Sequence, residues 1–218
     1  MFASVFSAAI SGMEVHLIKV EADVSDGLPS FTMVGLPSTQ VKEAQDRVRT
    51  ALKNNGIALP PKRITVNLAP ADIRKEGAGF DLPLAAAVLA AAGVLSAEQL
   101  GNVMMAGEIG LNGEIHAVSG ILPMIIRARE EKCRFCVVPY DNLKEAHLIP
   151  DMKVIGVADL QEMIRYVSAP DSYKKAVETG KKSPQENSVD FCEIHGQESL
   201  KRAVEIAVSG FHNLLMIG

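Results

Sequence analysis

Along residues 18–24 apolar and polar side chains alternate with a period of two, Ile18, Val20, Ala22 and Val24 against Lys19, Glu21 and Asp23, which predicts a half-buried strand. With the apolar run before Ser11-Gly12 it makes residues 4–24 two strands, closed by Ser25-Asp26-Gly27. Residues 30–34 are a third strand. Gly35-Leu36-Pro37-Ser38 then leads into a helix with Val41, Ala44, Val48 and Leu52 on one face, stopped by Asn55-Gly56. Ile64, Val66 and Leu68 alternate with polar partners in a strand that ends at Ala69-Pro70.

The chain turns on the polar, glycine-bearing stretch 72–83, which runs straight into its most apolar segment. From residue 82 to 95 every side chain is apolar or glycine. A helix that is hydrophobic all round has no solvent face and must sit inside the core, and this one is too short to cross a bilayer. Asp81 is the expected N-cap, Pro83 falls in the first turn where its missing N–H costs nothing, and Gly93 ends the helix. The loop is therefore fixed to a rigid element.

Between residues 103 and 118, Asn112-Gly113 sits between two β-compatible runs, a hairpin signal. Met104, Met105 and Ile109 read as core. Ser119 or Gly120 opens a helix to Lys132 with Ile121, Leu122, Ile125 and Ala128 inward. A strand at 135–138, a short helix at 143–148, a strand at 154–157 and a helix capped by Asp159, with Glu162 three positions on, complete the unit. Strands alternating with helices make residues 1–168 α+β or α/β, a mixed sheet with helices packed on it. Residues 169–188, with Pro170, Lys174-Lys175, Lys181-Lys182 and Ser183-Pro184, have little to bury and read as a linker. In 189–218 a helix carrying Leu200, Ala203, Val204 and Ala207 and an apolar strand at 213–217 are too little for a core, and are expected to be the truncated start of a second domain.

Composition narrows the function classes. The 218 residues are 48% hydrophobic, enough for a good core, and the net charge of −4 confines any nucleic-acid contact to local basic patches. Lys42, Arg47, Arg49 and Lys53 on the first helix, with Lys62 and Arg63 after Pro60-Pro61, are either a solvated mixed-charge face or a phosphate-contacting patch. Their spacing decides neither. Cys133, Cys136 and Cys192 are an odd count with no signal peptide, which points to reduced thiols in the cytoplasm; the Cys133/Cys136 CxxC lacks the second pair that a structural zinc site needs. The histidines His16, His116, His147, His195 and His212 show no i, i+4 pairing with a carboxylate, so no metal is expected. No apolar run is long enough for a membrane span.

Two segments carry a resemblance: residues 74–83, Arg74-Lys75-Glu76-Gly77-Ala78-Gly79-Phe80-Asp81-Leu82-Pro83, and residues 107–115 with Ser119-Gly120-Ile121-Leu122. They resemble the Lon-protease-type domain, with the ribosomal-protein domain superfold, in the version at the front of ComM/YifB-like AAA+ ATPases related to magnesium chelatase. The likeness runs over nearly all of residues 1–168, and Ile194-His195-Gly196-Gln197 with 201–218 resembles the start of that family's P-loop AAA+ module.

In Lon peptidases a serine in the loop before the buried helix is the nucleophile and a lysine after the second hairpin is its base, because a hydroxyl needs a nearby neutral amine to take its proton. The matching positions here are Gly79 and Leu122. Neither can do that chemistry. Lys75 and Ser119 are the substitute pair to consider, but Lys75, on a polar loop between Arg74 and Glu76, is expected to be charged. The ATP site is incomplete as well: the resemblance puts residues 194–197 near an adenine, while the phosphate loop is reached only at its first glycine, Gly218.

The resemblance thus implies a non-proteolytic domain of a cytoplasmic motor, hexameric and bound to ATP and Mg²⁺ when full length, with no cofactor in the present chain. Its relatives are implicated in branch migration during transformation, so DNA contact through Lys42, Arg47, Arg49, Lys53, Lys62, Arg63, Arg74 and Lys75 is expected. The competing class is a protein-remodelling ATPase of the magnesium-chelatase type, in which the domain is an adaptor. A working Ser-Lys peptidase is the third.

Overall fold

The computed structural model describes residues 1–12, 14–173 and 194–217. The chain divides into two compact units, 1–175 and 176–218. In the first, β1 (Phe2–Ser11) and β2 (Glu14–Ser25) form a long antiparallel hairpin, paired from Phe2 with Asp23 to Ser11 with Glu14. β3 (Ser30–Val34) and α1 (Thr39–Asn54) come next, then β4 (Arg63–Ala69), α2 (Asp81–Ala91), the single turn α3 (Ala97–Leu100) and β5 (Val103–Met105). After the small hairpin of β6 (Glu108–Ile109) and β7 (Ile115–His116) come α4 (Ile121–Glu130), β8 (Phe135–Pro139), the single turn α5 (Leu143–Ala146), β9 (Val154–Val157) and α6 (Leu160–Ser168).

The main sheet has the order β3-β4-β2-β1-β5-β8-β9. β4, β2 and β1 are antiparallel neighbours, and every other pairing is parallel. Both faces are covered. α1, α2, α3 and α6 pack with Val5, Val20, Val66, Met105, Val137 and Ile155 into the larger core, while α4 and α5 close a second one with Ala8, Met104, Cys136, Val138 and Val154. That explains why β5, β8 and β9 read as unbroken apolar runs: a parallel strand buried on both faces has no polar side.

Local signals work where they are complete. Ser38 caps α1, its hydroxyl accepting from the Val41 N–H. Asp159 caps α6 by accepting from the Glu162 N–H at 2.8 Å, and the Glu162 carboxylate reaches back to the Ala158 N–H at 2.9 Å. α2 is buried at all its positions, and Gly93 lies just past it with a left-handed φ of +84°.

Several expectations need correction. Asp81 is not a cap; it lies inside the first turn of α2 and its side chain turns to other elements. Leu122 is half-buried, and Met124 takes the inward position on α4. The Asn112-Gly113 hairpin is confined to β6 and β7, because Val103–Met105 leaves it to pair with β1 and β8. Of the expected linker, residues 174–188 lie outside the described residues, but Tyr173 packs edge-on against Tyr166 at 5.0 Å and its hydroxyl accepts from the Gly156 N–H at 3.1 Å.

In the second unit α7 (Glu198–Ser209) forms as read, whereas residues 213–217 are not a strand. A strand exists by pairing, and no other described segment of that unit offers it an edge. No helix among the described residues is long and apolar enough to cross a membrane.

Cys133 and Cys136 are buried free thiols, and burial pushes both up from the ordinary thiol value. The native protein is therefore expected to leave both unalkylated by iodoacetamide at pH 8, on the order of 100-fold slower than after denaturation, as read by site-resolved mass spectrometry. Because the folded state holds these protons more tightly, the stability they contribute is full below the unfolded value near 9.0 and is lost as pH rises through the higher folded value.

Candidate functional site

The loop between β4 and α2 is held from three sides. Lys75 is fully buried, contrary to its expected place on a solvated polar loop. Its N–H donates to the Leu36 carbonyl at 3.3 Å and its own carbonyl accepts from the Ser38 N–H at 2.9 Å. Its ammonium donates to the Gly35 carbonyl at 2.8 Å and to the Pro70 carbonyl. A long alkyl stem lets the lysine carry its donors to carbonyls deep in the fold. Burial pushes this amine down from its ordinary value, against the pull of Asp72. Gly35 makes room for the contact: its φ is +95°, and a Cβ there would lie 2.2 Å from the Leu68 carbonyl oxygen.

Beyond Lys75 the chain passes Gly77, at φ +82°, and a tight turn over residues 78–80. Gly107 clamps this turn, donating its N–H to the Gly79 carbonyl and accepting from the Leu82 N–H, both at 3.0 Å. Asp81, wholly buried, receives the Arg47 guanidinium in a bidentate contact, Nε to Oδ2 at 2.8 Å and Nη2 to Oδ1 at 2.9 Å, and accepts from the Ile109 N–H at 3.1 Å. One carboxylate thus ties α1, α2 and β6 together. Burial pushes the Asp81 carboxyl up, against the lowering by Arg47 and the Ile109 N–H; the hydrogen bond that Arg47 donates to Asp81 holds the guanidinium up.

The two positions that the resemblance sets against a Lon dyad, Gly79 and Leu122, carry neither a hydroxyl nor an amine. A Cβ on Gly79 would meet only the Val118 methyl, at 4.0 Å. Leu122 lies in the first turn of α4, after Gly120, whose left-handed backbone leaves a Cβ 2.4 Å from the Ile10 Cδ1. Ser119 is exposed, and the Lys75 amine spends its hydrogen bonds on backbone carbonyls rather than on a hydroxyl. The arrangement holds a loop against a rigid helix, and the Lys75 amine meets no hydroxyl among the described residues. Gly79→Ser is expected to fold unchanged, within about 0.5 kcal/mol in a denaturant melt, and to hydrolyse nothing.

The basic positions separate. Arg47 and Lys75 are consumed by the fold, and Arg74 pairs with Glu76 at 2.9 Å. Lys42 and Arg63 are exposed. Arg49, Lys53 and Lys62 line one cleft of about 440 Å³. In the second unit Ile194 is partly exposed, Gly196 and Gln197 have left-handed φ angles of +74° and +58°, and Gly218 lies outside the described residues. Among the described residues nothing forms a phosphate-holding loop. No cluster of three or more metal-ligating side chains occurs among them either.

Sequence reasoning missed the pairing of Asp81 with Arg47, reading the first as a helix cap and the second as a surface cation. The signal was an acid at the mouth of a helix with no solvent face, which must find a cation because a buried carboxylate cannot stand alone.

Fold and site together define a mixed α/β domain whose loop is anchored by buried ion chemistry. Residues 20–142 match the family model "Subunit ChlI of Mg-chelatase" and residues 190–218 match "Magnesium chelatase, subunit ChlI". The chain therefore belongs to the magnesium-chelatase ChlI family, in its ComM/YifB-like branch. It is 41% identical over 99% of its length to "Competence protein ComM" of Haemophilus influenzae, and 40% identical over 98% to "Uncharacterized protein YifB" of Escherichia coli K12. It spans 43% and 42% of those relatives. It is also similar to "Lon protease 2" of Bacillus subtilis, 27% identical over 58% of the chain and 22% of that protein.

Proposed function

We propose that the first unit is a non-hydrolytic assembly module at the front of a cytoplasmic, ring-forming AAA+ motor, hexameric when whole, whose later part binds ATP and Mg²⁺ and acts on branched DNA. What supports this reading is the Lon-like resemblance taken with what stands at its dyad positions: Gly79 clamped to Gly107, Leu122 in place of an amine, and the neighbouring lysine turned to backbone carbonyls. A scaffold kept without its chemistry serves contacts rather than turnover. DNA contact falls to Lys42, Arg49, Lys53, Lys62, Arg63 and Arg74, since Arg47 and Lys75 are occupied within the fold.

The test is binding of the full-length protein to a four-way DNA junction across a salt series. Binding that weakens steeply with salt supports a phosphate-contacting motor. The second reading, an adaptor in a protein-remodelling ATPase, draws on the same reduction of the basic surface in a chain of net charge −4. Salt-insensitive co-purification with a protein partner, without junction binding, supports that one. A Lon-type peptidase is the least favoured reading.

A further inference from the structure

β3 is the outermost strand of the sheet and pairs with β4 on one side alone. Among the described residues, no backbone hydrogen bond is made on its other side. Ser30, Thr32 and Val34 are exposed, as is Leu28 just before them. An open edge of this kind is a template for another strand. Beside it lies the cleft of about 440 Å³, whose floor includes Phe31, Ile57 and Leu59 and whose rim carries Arg49, Lys53 and Lys62. Arg49 and Lys53 stand one turn apart on α1 with no ion-pair partner among the described residues, while Lys62 meets only the exposed Asp26, at 2.9 Å.

We propose that β3 and this cleft form a docking site for an extended segment of a partner protein, which adds a strand to the sheet edge, seats one apolar side chain in the cleft and sets carboxylates against Arg49 and Lys53. The open edge supplies the backbone hydrogen bonds, the apolar floor an anchor and the unpaired cations a sign. A nucleic-acid strand would use the cations but has no amide ladder for the edge. Phe31 packs against the core and is half-buried, so it is no free platform for stacking a base.

The test selects a displayed library of random decapeptides on the full-length protein, with counter-selection on Arg49→Glu/Lys53→Glu, two exposed positions whose substitution is checked by thermal melting. Enriched sequences should alternate acidic and apolar residues. The best of them, made synthetically, should bind about tenfold or more weakly to the double variant, to Ala58→Trp, which fills the cleft, and when its alternate amides are N-methylated. No enrichment, binding indifferent to N-methylation, or enriched sequences without acids overturns the proposal. So does a cleft taken by oligothymidylate and lost in Ala58→Trp, which makes it a nucleic-acid site, or self-association abolished by the double variant, which makes the occupant a second copy. Arg49 and Lys53 are shared with the DNA surface proposed above, so the arms that leave those charges in place, Ala58→Trp and amide N-methylation, decide this proposal, and junction binding by Ala58→Trp decides the other.

Discussion

Arg47→Met is expected to lower stability by about 3 kcal/mol, the low end of the 3–5 kcal/mol typical for breaking a buried pair because the guanidinium is 23% exposed while Asp81 is not exposed at all. Asp81→Asn should cost less, about 1–2 kcal/mol, since the arginine left behind can turn to water. The asymmetry comes from which partner is stranded. A double variant, Arg47→Met with Asp81→Leu, should recover most of the loss, so the two single effects are far from additive. The pH dependence gives a second check. In Arg47→Met the carboxyl loses a group that lowers it and keeps the burial that raises it, so its folded value lies above the unfolded 3.8. A raised acid stabilises when protonated, fully below the unfolded value, and that contribution is lost as pH rises through the folded one. The deficit against the wild type should thus shrink as pH is lowered toward 4 in urea melts.

Gly35→Ala is expected to do more damage than any surface change, about 4 kcal/mol or more, a fall of about 10 °C in Tm for a domain of this size. The added Cβ collides with the Leu68 carbonyl oxygen on a backbone whose φ of +95° already excludes a side chain. Relief requires moving the carbonyl that receives the Lys75 ammonium, so the loop should loosen first. Hydrogen exchange at residues 70–80 should rise ahead of the rest of the sheet. Gly12→Ala is the control: also left-handed, at φ +61°, but facing open space, it should cost about 1 kcal/mol.

The split between what the sequence did and did not disclose has a physical cause. β3 and β9 came out at their true bounds because the first is a short alternating segment and the second a short apolar run, each set between turn signals. The buried α2 was legible from its lack of any polar face. Lys75 was misjudged because its setting depends on the carbonyls of Gly35 and Pro70, one of them 40 residues away, and no local pattern encodes that. The Arg47 to Asp81 pair spans 34 residues and hides inside an ordinary charged helix face. Residues 213–217 failed for the opposite reason: strand propensity was there, and a partner edge was not.

The same logic bears on the dyad. A Cβ at Gly79 meets only the Val118 methyl, at 4.0 Å, so a serine side chain has room there. A lysine with a lowered pKa does lie in the loop, yet amine and hydroxyl must meet for the chemistry, and this amine meets carbonyls. The most direct measurement is to treat the full-length protein with a hydroxyl-directed fluorophosphonate probe, alongside casein and an active Lon peptidase, and map any adduct by mass spectrometry. The account predicts intact casein and no adduct; a covalent adduct at Ser119, with casein cleaved and both lost in Lys75→Met, would contradict it.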